Sequence, residues 1–323
     1  MVRWVSVVAF VVCLGFVAVA FANSLERAEG RAIPSVAALG VAGLLAAGAH
    51  VLATRAWRRL LPRDLDHVRV ARTWYVTQVA KYVPGGFAQA TGQIAMTQRL
   101  GISWAAALLA YVVLQGGYIA SGLWSGSAVA VLGDELPAWV RVLLATSVVL
   151  PVVMWRPVMA WGLGLVRRVV RRLPPPEDLP AQRDLLLSWA AQLGFLAGLS
   201  GVFTVILRSL DGDAPVALAL AAFPLAFALG TLAVPVPSGL AVREAVLLGV
   251  LGSYVEGELV IAASVWLRLV TIVVELALIG ANEAHLRLRS PATSAFGHAG
   301  GQAAAGPLTS VRPSDGAGVD TDT

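Results

Sequence analysis

Long apolar runs separated by short polar loops make up most of the chain up to about residue 281. A helix needs about 20 apolar residues to cross the hydrocarbon core of a bilayer. Seven runs have roughly that length: residues 4–22, 33–53, 103–132, 138–161, 185–207, 214–234 and 259–281. We expect the first run to be a retained helix, because it is longer than a typical signal-peptide core. The pattern therefore predicts an all-α polytopic membrane protein.

Two segments depart from this pattern. Residues 72–99 carry four glutamines and a lysine, which makes them too polar to face lipid and too long for a simple loop. Residues 242–254 are apolar, but as a helix they would span only about 20 Å of a core about 30 Å thick. Counting this short helix gives about 8 transmembrane helices, and leaving it out gives seven. Residues 72–99 would then enter and leave from one side as a re-entrant hairpin, which is allowed where protein or water covers the backbone.

The composition agrees with this class, at 58% hydrophobic and 13% charged residues. Cys13, the single cysteine, lies in an apolar run, so we expect no disulfide framework and no metal site. The net charge of +5 comes mainly from loop arginines, and we expect no nucleic-acid partner. We predict a transmembrane domain over residues 1–285 and a disordered cytoplasmic tail over residues 286–323, which are rich in Ser, Ala, Gly, Pro and Asp.

The arginines are distributed unevenly between the two sets of loops. Sixteen lie in the loops on one side, counting Arg3 and Arg99, and four lie on the other. The positive-inside rule then places both termini in the cytoplasm. We expect a multi-pass protein of the cell membrane.

The order of elements also suggests an internal duplication, with halves at about residues 1–161 and 185–285 and a connector over 162–184. Each half begins with two apolar runs followed by a Pro/Gly break. Paired breaks in two halves are the best sequence indication of a transporter's binding site.

The first break carries the only lysine, Lys81, among 24 basic residues. A helix over residues 73–82 should end before Pro84, and Gly85 and Gly86 permit a sharp reversal. A second helix should begin near residue 87, with an N-terminus that attracts anions. Candidates to hydrogen-bond a headgroup are Gln78, Gln89 and Gln93. The alternative is an interfacial hairpin that only packs the bundle.

The second break is Pro-Val-Pro-Ser-Gly at residues 235–239. Two prolines end the preceding helix, and ionisable residues open the next one at membrane depth, where such groups are functional candidates. The candidate residues are Pro235, Pro237, Ser238, Gly239, Arg243 and Glu244. The alternative is a structural Arg–Glu clamp between helices.

The last apolar run contains Arg268 and Glu275. A separation of seven residues puts them on one helical face but about 10 Å apart, too far for a direct pair. Each therefore needs another partner, and Glu244, Arg243 and Lys81 are available. Such a network forms a polar interior face, or it serves only to fix helix packing.

Both breaks resemble motifs of a known family. Residues 81–86, Lys-Tyr-Val-Pro-Gly-Gly, resemble its lysine-tyrosine-x-proline-glycine-glycine segment and add Tyr82 to the candidates. Residues 235–244 resemble its proline-x-proline-glycine-glycine-x-glycine-x-arginine-glutamate segment, with Ser238 and Ala241 where glycine is usual. The family is the flippase-like transmembrane domain of lysylphosphatidylglycerol synthases and their stand-alone relatives. The resemblance covers roughly residues 1–285.

The resemblance implies a bundle that moves or holds a phospholipid or a polyprenyl-linked lipid, with no cofactor. Only about 34 residues follow Arg289, so we expect no soluble aminoacyl-transfer domain and no synthase activity. Transport would be downhill scrambling or would be driven by an ion, with Glu275 as one candidate proton carrier.

Two other functions remain open. A lipid-modifying enzyme such as a glycosyltransferase is one, because Asp64 and Asp66 have the Asp-x-Asp spacing of a metal–nucleotide site, although a solvated turn also explains them. A non-catalytic scaffold for envelope-biosynthesis enzymes is the other, using the tail and the arginines of residues 167–172.

Overall fold

The computed structural model describes residues 33–82, 88–132, 137–168, 173–233 and 241–289, and within these ranges the chain is helical and has no strand. The α-helices are α1 Val36–Arg59, α2 His67–Gln78, α3 Ala88–Gln98, α4 Trp104–Gly126, α5 Val129–Leu132, α6 Ala138–Thr146, α7 Arg156–Arg167, α8 Gln182–Ser209, α9 Val216–Leu232, α10 Val242–Leu251 and α11 Gly257–Arg289. Three 3-10 segments are Val79–Tyr82, Ser147–Met154 and Pro176–Asp178. The predicted helix 4–22, both Pro/Gly breaks and residues 290–323 lie outside the described residues.

Serine caps fix the starts of two long helices. Ser35 Oγ accepts a hydrogen bond from the backbone nitrogen of Ala38 at 3.2 Å, and Ser103 Oγ accepts one from that of Ala106 at 3.2 Å. Each bond satisfies a backbone donor that a helix start leaves without an intrahelical partner. The apolar helices α1 and α4 therefore begin at the first residue after a polar side chain.

Helices α1 and α8 run antiparallel and pack along their whole length. At one end Ser35 N donates to Ser209 Oγ at 2.8 Å, and at the other Arg63 pairs with Asp184 at 2.8 Å. Between these ends the backbones approach closely, since a Cβ built on Gly198 would lie 2.9 Å from Ala49 Cβ. Small residues permit such close helix contacts where no hydrophobic force from water drives the association.

Helices α4 and α9 form a second close pair. A Cβ on Gly122 would lie 2.6 Å from the carbonyl oxygen of Pro224, and a Cβ on Gly126 would lie 2.7 Å from Leu225 Cβ. The two glycines therefore hold α4 against the middle of α9, which also contacts α8 and α10.

Four helices are long and apolar enough to cross a membrane: Val36–Arg59, Trp104–Leu132, Gln182–Ser209 and Gly257–Arg289. They confirm the predicted runs 33–53, 103–132, 185–207 and 259–281. Helix α11 continues to Arg289, so the first four residues of the predicted tail are helical. The protein is therefore a helical membrane-embedded protein, as the hydropathy pattern predicted.

The predicted run 138–161 is not one straight helix. After α6 the chain passes into the 3-10 segment Ser147–Met154, which contains Pro151, and then bends by 90° into α7. Proline removes a helical hydrogen bond and clashes with the preceding turn, which accounts for the loss of α-helix there. Nine α-helical and eight 3-10 residues rise about 30 Å together, so the part before the bend already matches the hydrocarbon core.

The predicted count of eight crossings is not confirmed: seven of them fall in the described part of the chain, which supports four, or up to five if the bent pair is one span. The run 214–234 becomes α9, with 17 residues, and 242–254 becomes α10, with 10. Helices this short rise about 26 Å and 15 Å, less than the thickness of the hydrocarbon core.

One end of the bundle, here called the arginine-rich end, collects several loop residues. A cavity of about 300 Å³ there is lined by residues that include Arg59, Arg63 and Asp184, and by Ile102 and Ala106 near the start of α4. The chain therefore leaves this end just after Arg63 and is back there by Ile102. Helices α2 and α3 lie between these two points of the chain and contact each other.

Candidate functional site

Lys81 lies at the inner end of the first broken segment. Helix α2 begins after Asp66, whose carboxylate accepts from the Arg69 backbone nitrogen at 3.1 Å, and it passes into the 3-10 segment that carries Lys81. The α-helix ends six residues before Pro84, rather than at residue 82 as predicted. Helix α3 then begins at Ala88, close to the predicted start near residue 87.

Three ion pairs connect α2 and its 3-10 extension to α11. They are Asp66 with Arg289 at 3.6 Å, Arg72 with Glu283, and Lys81 with Glu275. The paired residues of the first segment have increasing numbers, from 66 to 81, while their partners on α11 have decreasing numbers, from 289 to 275. The two elements are therefore antiparallel. Glu275 lies eight residues from Glu283, which places the Lys81 pair about 12 Å deeper in the bundle.

Glu275 is shared between Lys81 and a histidine. The Lys81 ammonium donates to Glu275 Oε1, and His50 Nε2 lies 3.4 Å from the same oxygen. The side chains of His50 and Glu275 are each 2% exposed, whereas 25% of the Lys81 side chain is exposed. A separation of 3.4 Å is long for a hydrogen bond, and neither His50 nitrogen has a hydrogen-bond partner among the described residues. The cluster is thus a buried carboxylate with one accessible cation and one imidazole beside it.

Aromatic side chains connect this cluster to the second broken segment. The His50 ring packs edge-on against Phe195 at 5.8 Å, and Phe195 packs against Phe227 at 5.9 Å. Tyr118 contacts both phenylalanines. The Arg243 guanidinium carbon lies 4.5 Å from the centre of the Phe227 ring, which is a cation–π geometry. His50 and Arg243 therefore lie at opposite edges of one aromatic cluster.

The second broken segment has its own ion pair. Glu244 Oε1 accepts from Arg268 at 2.5 Å and from Ser264 Oγ at 2.9 Å, which ties the first turn of α10 to α11. Arg243, the preceding residue, lies against α9, where a Cβ on Gly230 would be 2.5 Å from Arg243 Cγ. Adjacent residues of α10 thus contact different helices.

Arg268 and Glu275 therefore have separate partners, Glu244 and Lys81. This is the arrangement expected from their spacing on α11. Both broken segments therefore dock on α11 through charged pairs, the first through three and the second through the Glu244 pair. Such pairs are expected of a clamp that only fixes helix packing and equally of a site that also binds an anion, so they do not distinguish the two interpretations.

Gln93 is part of the packing of the hairpin. It is 1% exposed and its amide contacts the Thr77 hydroxyl. In the amide orientation that satisfies its neighbours, its nitrogen donates to the Thr73 carbonyl at 3.3 Å and its oxygen accepts from Trp57 Nε1 at 3.1 Å. These bonds join α3 to α2 and α1. The sequence predicted that Gln93 binds a headgroup, but its amide is buried between these helices and is not accessible to one.

The other predicted residues of the first segment lie near Lys81 or cannot be placed. The amides of Gln78 and Gln89 face each other across the hairpin at 3.5 Å, with Gln78 buried and Gln89 half-buried. The backbone of Tyr82 ends the 3-10 segment. The remaining site predictions fall outside the described residues: Pro84, Gly85, Gly86, Pro235, Pro237, Ser238 and Gly239.

No family model matches the chain, and no curated protein is significantly similar to it. The functional argument therefore depends on the geometry of the residues. Within the described ranges, no group of three or more His, Cys, Asp or Glu side chains is arranged to hold a metal ion. Asp66 caps α2 and pairs with Arg289, while Asp64 is exposed in the preceding turn.

Sequence analysis missed His50. It falls inside the apolar run 33–53, and only hydropathy was used to interpret that run. An ionisable residue within a membrane span is a functional candidate by default. Had that rule been applied to α1, it would have selected His50.

Proposed function

We propose that the protein binds the phosphate of a lipid headgroup at Lys81 and moves the lipid across the membrane, with the acyl chains remaining in the bilayer. The observation that carries this proposal is the position of the only lysine. Lys81 lies in a helix break, about 12 Å below a surface ion pair, partly exposed, and bonded to a buried carboxylate. Ionisable groups held at such depth are costly and mark substrate pathways in membrane proteins.

The chemistry of Lys81 suits a phosphate. Its ammonium is a compact point charge with three donors, so it can contact a phosphate oxygen while it keeps its bond to Glu275. Helix α3 begins seven residues later, at Ala88, and free backbone amides at a helix start favour an anion. Arg243 and Arg268, at the second broken segment, supply further positive charge along the route.

We also propose that the chain belongs to the flippase-like family that its two motifs resemble. One detail supports this proposal beyond the motifs themselves. Ala241 has φ of 67°, a conformation that favours glycine, and glycine is usual at this position in the family pattern. The arginine-rich end would face the cytoplasm, with both chain termini on that side of the cell membrane.

The proposal is tested by lipid movement in liposomes that contain the purified protein. Fluorescent phosphatidylglycerol and a fluorescent polyprenyl-linked sugar are compared for the wild type, Lys81→Ala and Arg243→Ala. Arg208→Ala is the matched control, because Arg208 forms an exposed pair with Asp213 at the other end of α8. We expect movement of at least one lipid that both site variants abolish and the control preserves. Failure of folded wild type to move either lipid would refute the proposal.

A further inference from the structure

We infer that binding of a headgroup at Lys81 is coupled to uptake of one proton by His50, which would make the protein a proton-coupled lipid carrier. This inference rests on the proposed function and deepens it, because it assigns an energy source to the same site. It uses a residue that neither motif contains. The charges that the site holds before and after an anion arrives differ by one.

The cluster is electrically balanced when it is empty. Lys81 contributes one positive charge, Glu275 one negative charge, and a neutral His50 none. A phosphodiester that binds Lys81 brings one further negative charge next to a carboxylate that is 2% exposed. An uncompensated charge in such a site is strongly unfavourable, and in practice protonation removes it. One added proton restores the original balance.

His50 is placed to take that proton. The Nε2 atom lies 3.4 Å from Glu275 Oε1. In the neutral ring one nitrogen carries a hydrogen and the other a lone pair, and a proton from water that adds to the lone pair gives an imidazolium with an N–H on both nitrogens. The Nε2–H then donates to the carboxylate in a charge-assisted bond. The ammonium of Lys81 then divides its donors between the carboxylate and the phosphate. Release of the lipid reverses these steps and returns the proton to water.

The neighbouring helices supply other titratable and charged groups, but these have different contacts. Between the pairs at the bundle ends, these groups are Tyr75 of α2, Tyr111 and Tyr118 of α4, Arg243 and Glu244 of α10, and Arg268 of α11. Arg268 is bonded to Glu244, and Arg243 stacks on Phe227. Helix α8 faces His50 with the Phe195 ring, and Tyr118 packs on that ring. Among the contacts of Glu275 within the described residues, His50 and Lys81 are thus titratable bases.

The test counts the protons that accompany binding. The full chain in detergent is titrated with dihexanoyl-phosphatidylglycerol by calorimetry in two buffers with different ionisation enthalpies. The diester does not titrate near neutral pH, so any proton taken up belongs to the protein. A parallel titration with inorganic phosphate, scored by affinity alone, shows whether the acyl chains and glycerol contribute. Equal affinities would assign the site to free phosphate rather than to a lipid.

For the wild type we expect close to one proton per bound lipid. Glu275→Gln removes the negative charge beside Lys81, so a bound phosphate no longer lies next to a carboxylate; we expect no proton uptake and an affinity raised by about 5–150-fold. His50→Gln removes the base, and we expect no proton uptake and an affinity lowered by a similar factor. Glu283→Gln, in the shallower pair with Arg72, is the matched control and should behave as wild type.

Four results would overturn the inference. Lipid binding by the wild type without proton uptake would refute the coupling and leave the proposed function intact. Weaker binding by folded Glu275→Gln would show that the carboxylate only positions Lys81. No binding of either ligand by folded wild type would refute both the coupling and the headgroup site. Unchanged proton uptake by folded His50→Gln would show that another group takes the proton. If a variant fails to fold, the proton count of the wild type still decides whether binding is coupled to a proton.

Discussion

Lys81 and Glu275 are bonded although 194 residues separate them in the chain. The bond joins the first helix break to α11, and it lies in a part of the bundle where each charge alone would be unfavourable. The pair therefore links the stability of the fold to the accessibility of the site. A ligand that competes for the ammonium also weakens a contact between two elements of the bundle.

Removing one member of this pair should cost more stability than removing both. Lys81→Ala leaves Glu275 buried without its ammonium, and we expect a loss of about 1–3 kcal/mol in the free energy of unfolding. Lys81→Ala combined with Glu275→Gln leaves no buried charge and should regain most of that loss. The measurement is unfolding in mixed detergent micelles followed by circular dichroism. A double variant no more stable than Lys81→Ala would contradict the expectation.

Lys81→Arg should keep the charge but reduce lipid movement. The guanidinium is planar and bulkier, and it favours a bidentate bond to the Glu275 carboxylate, which leaves less of its charge for a phosphate. We expect stability near that of the wild type and a rate of lipid movement reduced by about tenfold or more. The liposome assay measures the rate, and the unfolding assay confirms the fold. A wild-type rate would show that any cation suffices at this position.

Ala241→Gly should stabilise the protein. Ala241 has φ of 67° and ψ of −40°, which L-residues with a Cβ adopt only under strain. Glycine relieves this strain, and we expect a gain of about 1 kcal/mol after its greater flexibility in the unfolded chain is included. The control is Ala245→Gly, an exposed helical position in α10, where the same change should cost about 1 kcal/mol. Loss of stability in both variants would argue against the strained conformation at residue 241.

Hydropathy predicted the four long helices because a bilayer requires a minimum apolar length, and that requirement is visible in a single sequence. It failed at residues 138–161, where Pro151 lies within an apolar run that looks continuous. The pairing of charged residues between distant helices was harder to predict. The spacing of Arg268 and Glu275 showed that each needs a partner, but which residue of a distant helix meets which was fixed only by packing.

Polar residues of the first hairpin show the same limit. Gln93 and Gln89 have the same chemistry and lie four residues apart, yet one is 1% exposed between helices and the other is half-buried. Sequence gives each the same hydrogen-bonding capacity. Only the tertiary contacts with Thr77, Thr73 and Trp57 show that the Gln93 amide already forms hydrogen bonds inside the bundle.

Adding a methyl group should have opposite effects at two glycines of the α1–α8 pair. At Gly198 a Cβ would lie 2.9 Å from Ala49 Cβ, so Gly198→Ala must separate the helices; we expect a loss of about 1–3 kcal/mol. At Gly43 nothing lies within 4 Å of the added atom, so Gly43→Ala should be neutral or stabilising by up to about 1 kcal/mol. Unfolding in micelles compares the two variants. Equal effects would refute the close approach.

Helix α7 should lie along the membrane surface at the arginine-rich end. It follows a segment about 30 Å long, turns by 90°, and has no fully buried residue, although Met159, Ala160 and Leu163 pack partly against the core. Trp161 is 72% exposed, and Arg156 and Arg167 occupy the two ends of the helix. Trp161→Phe should therefore reduce the tryptophan quenching caused by lipids brominated near the headgroup, with little change for lipids brominated near the chain ends. Trp57→Phe, at a fully buried position, should leave both values nearly unchanged. A drop confined to the deeply brominated lipids would instead place α7 in the bilayer core, as part of a crossing.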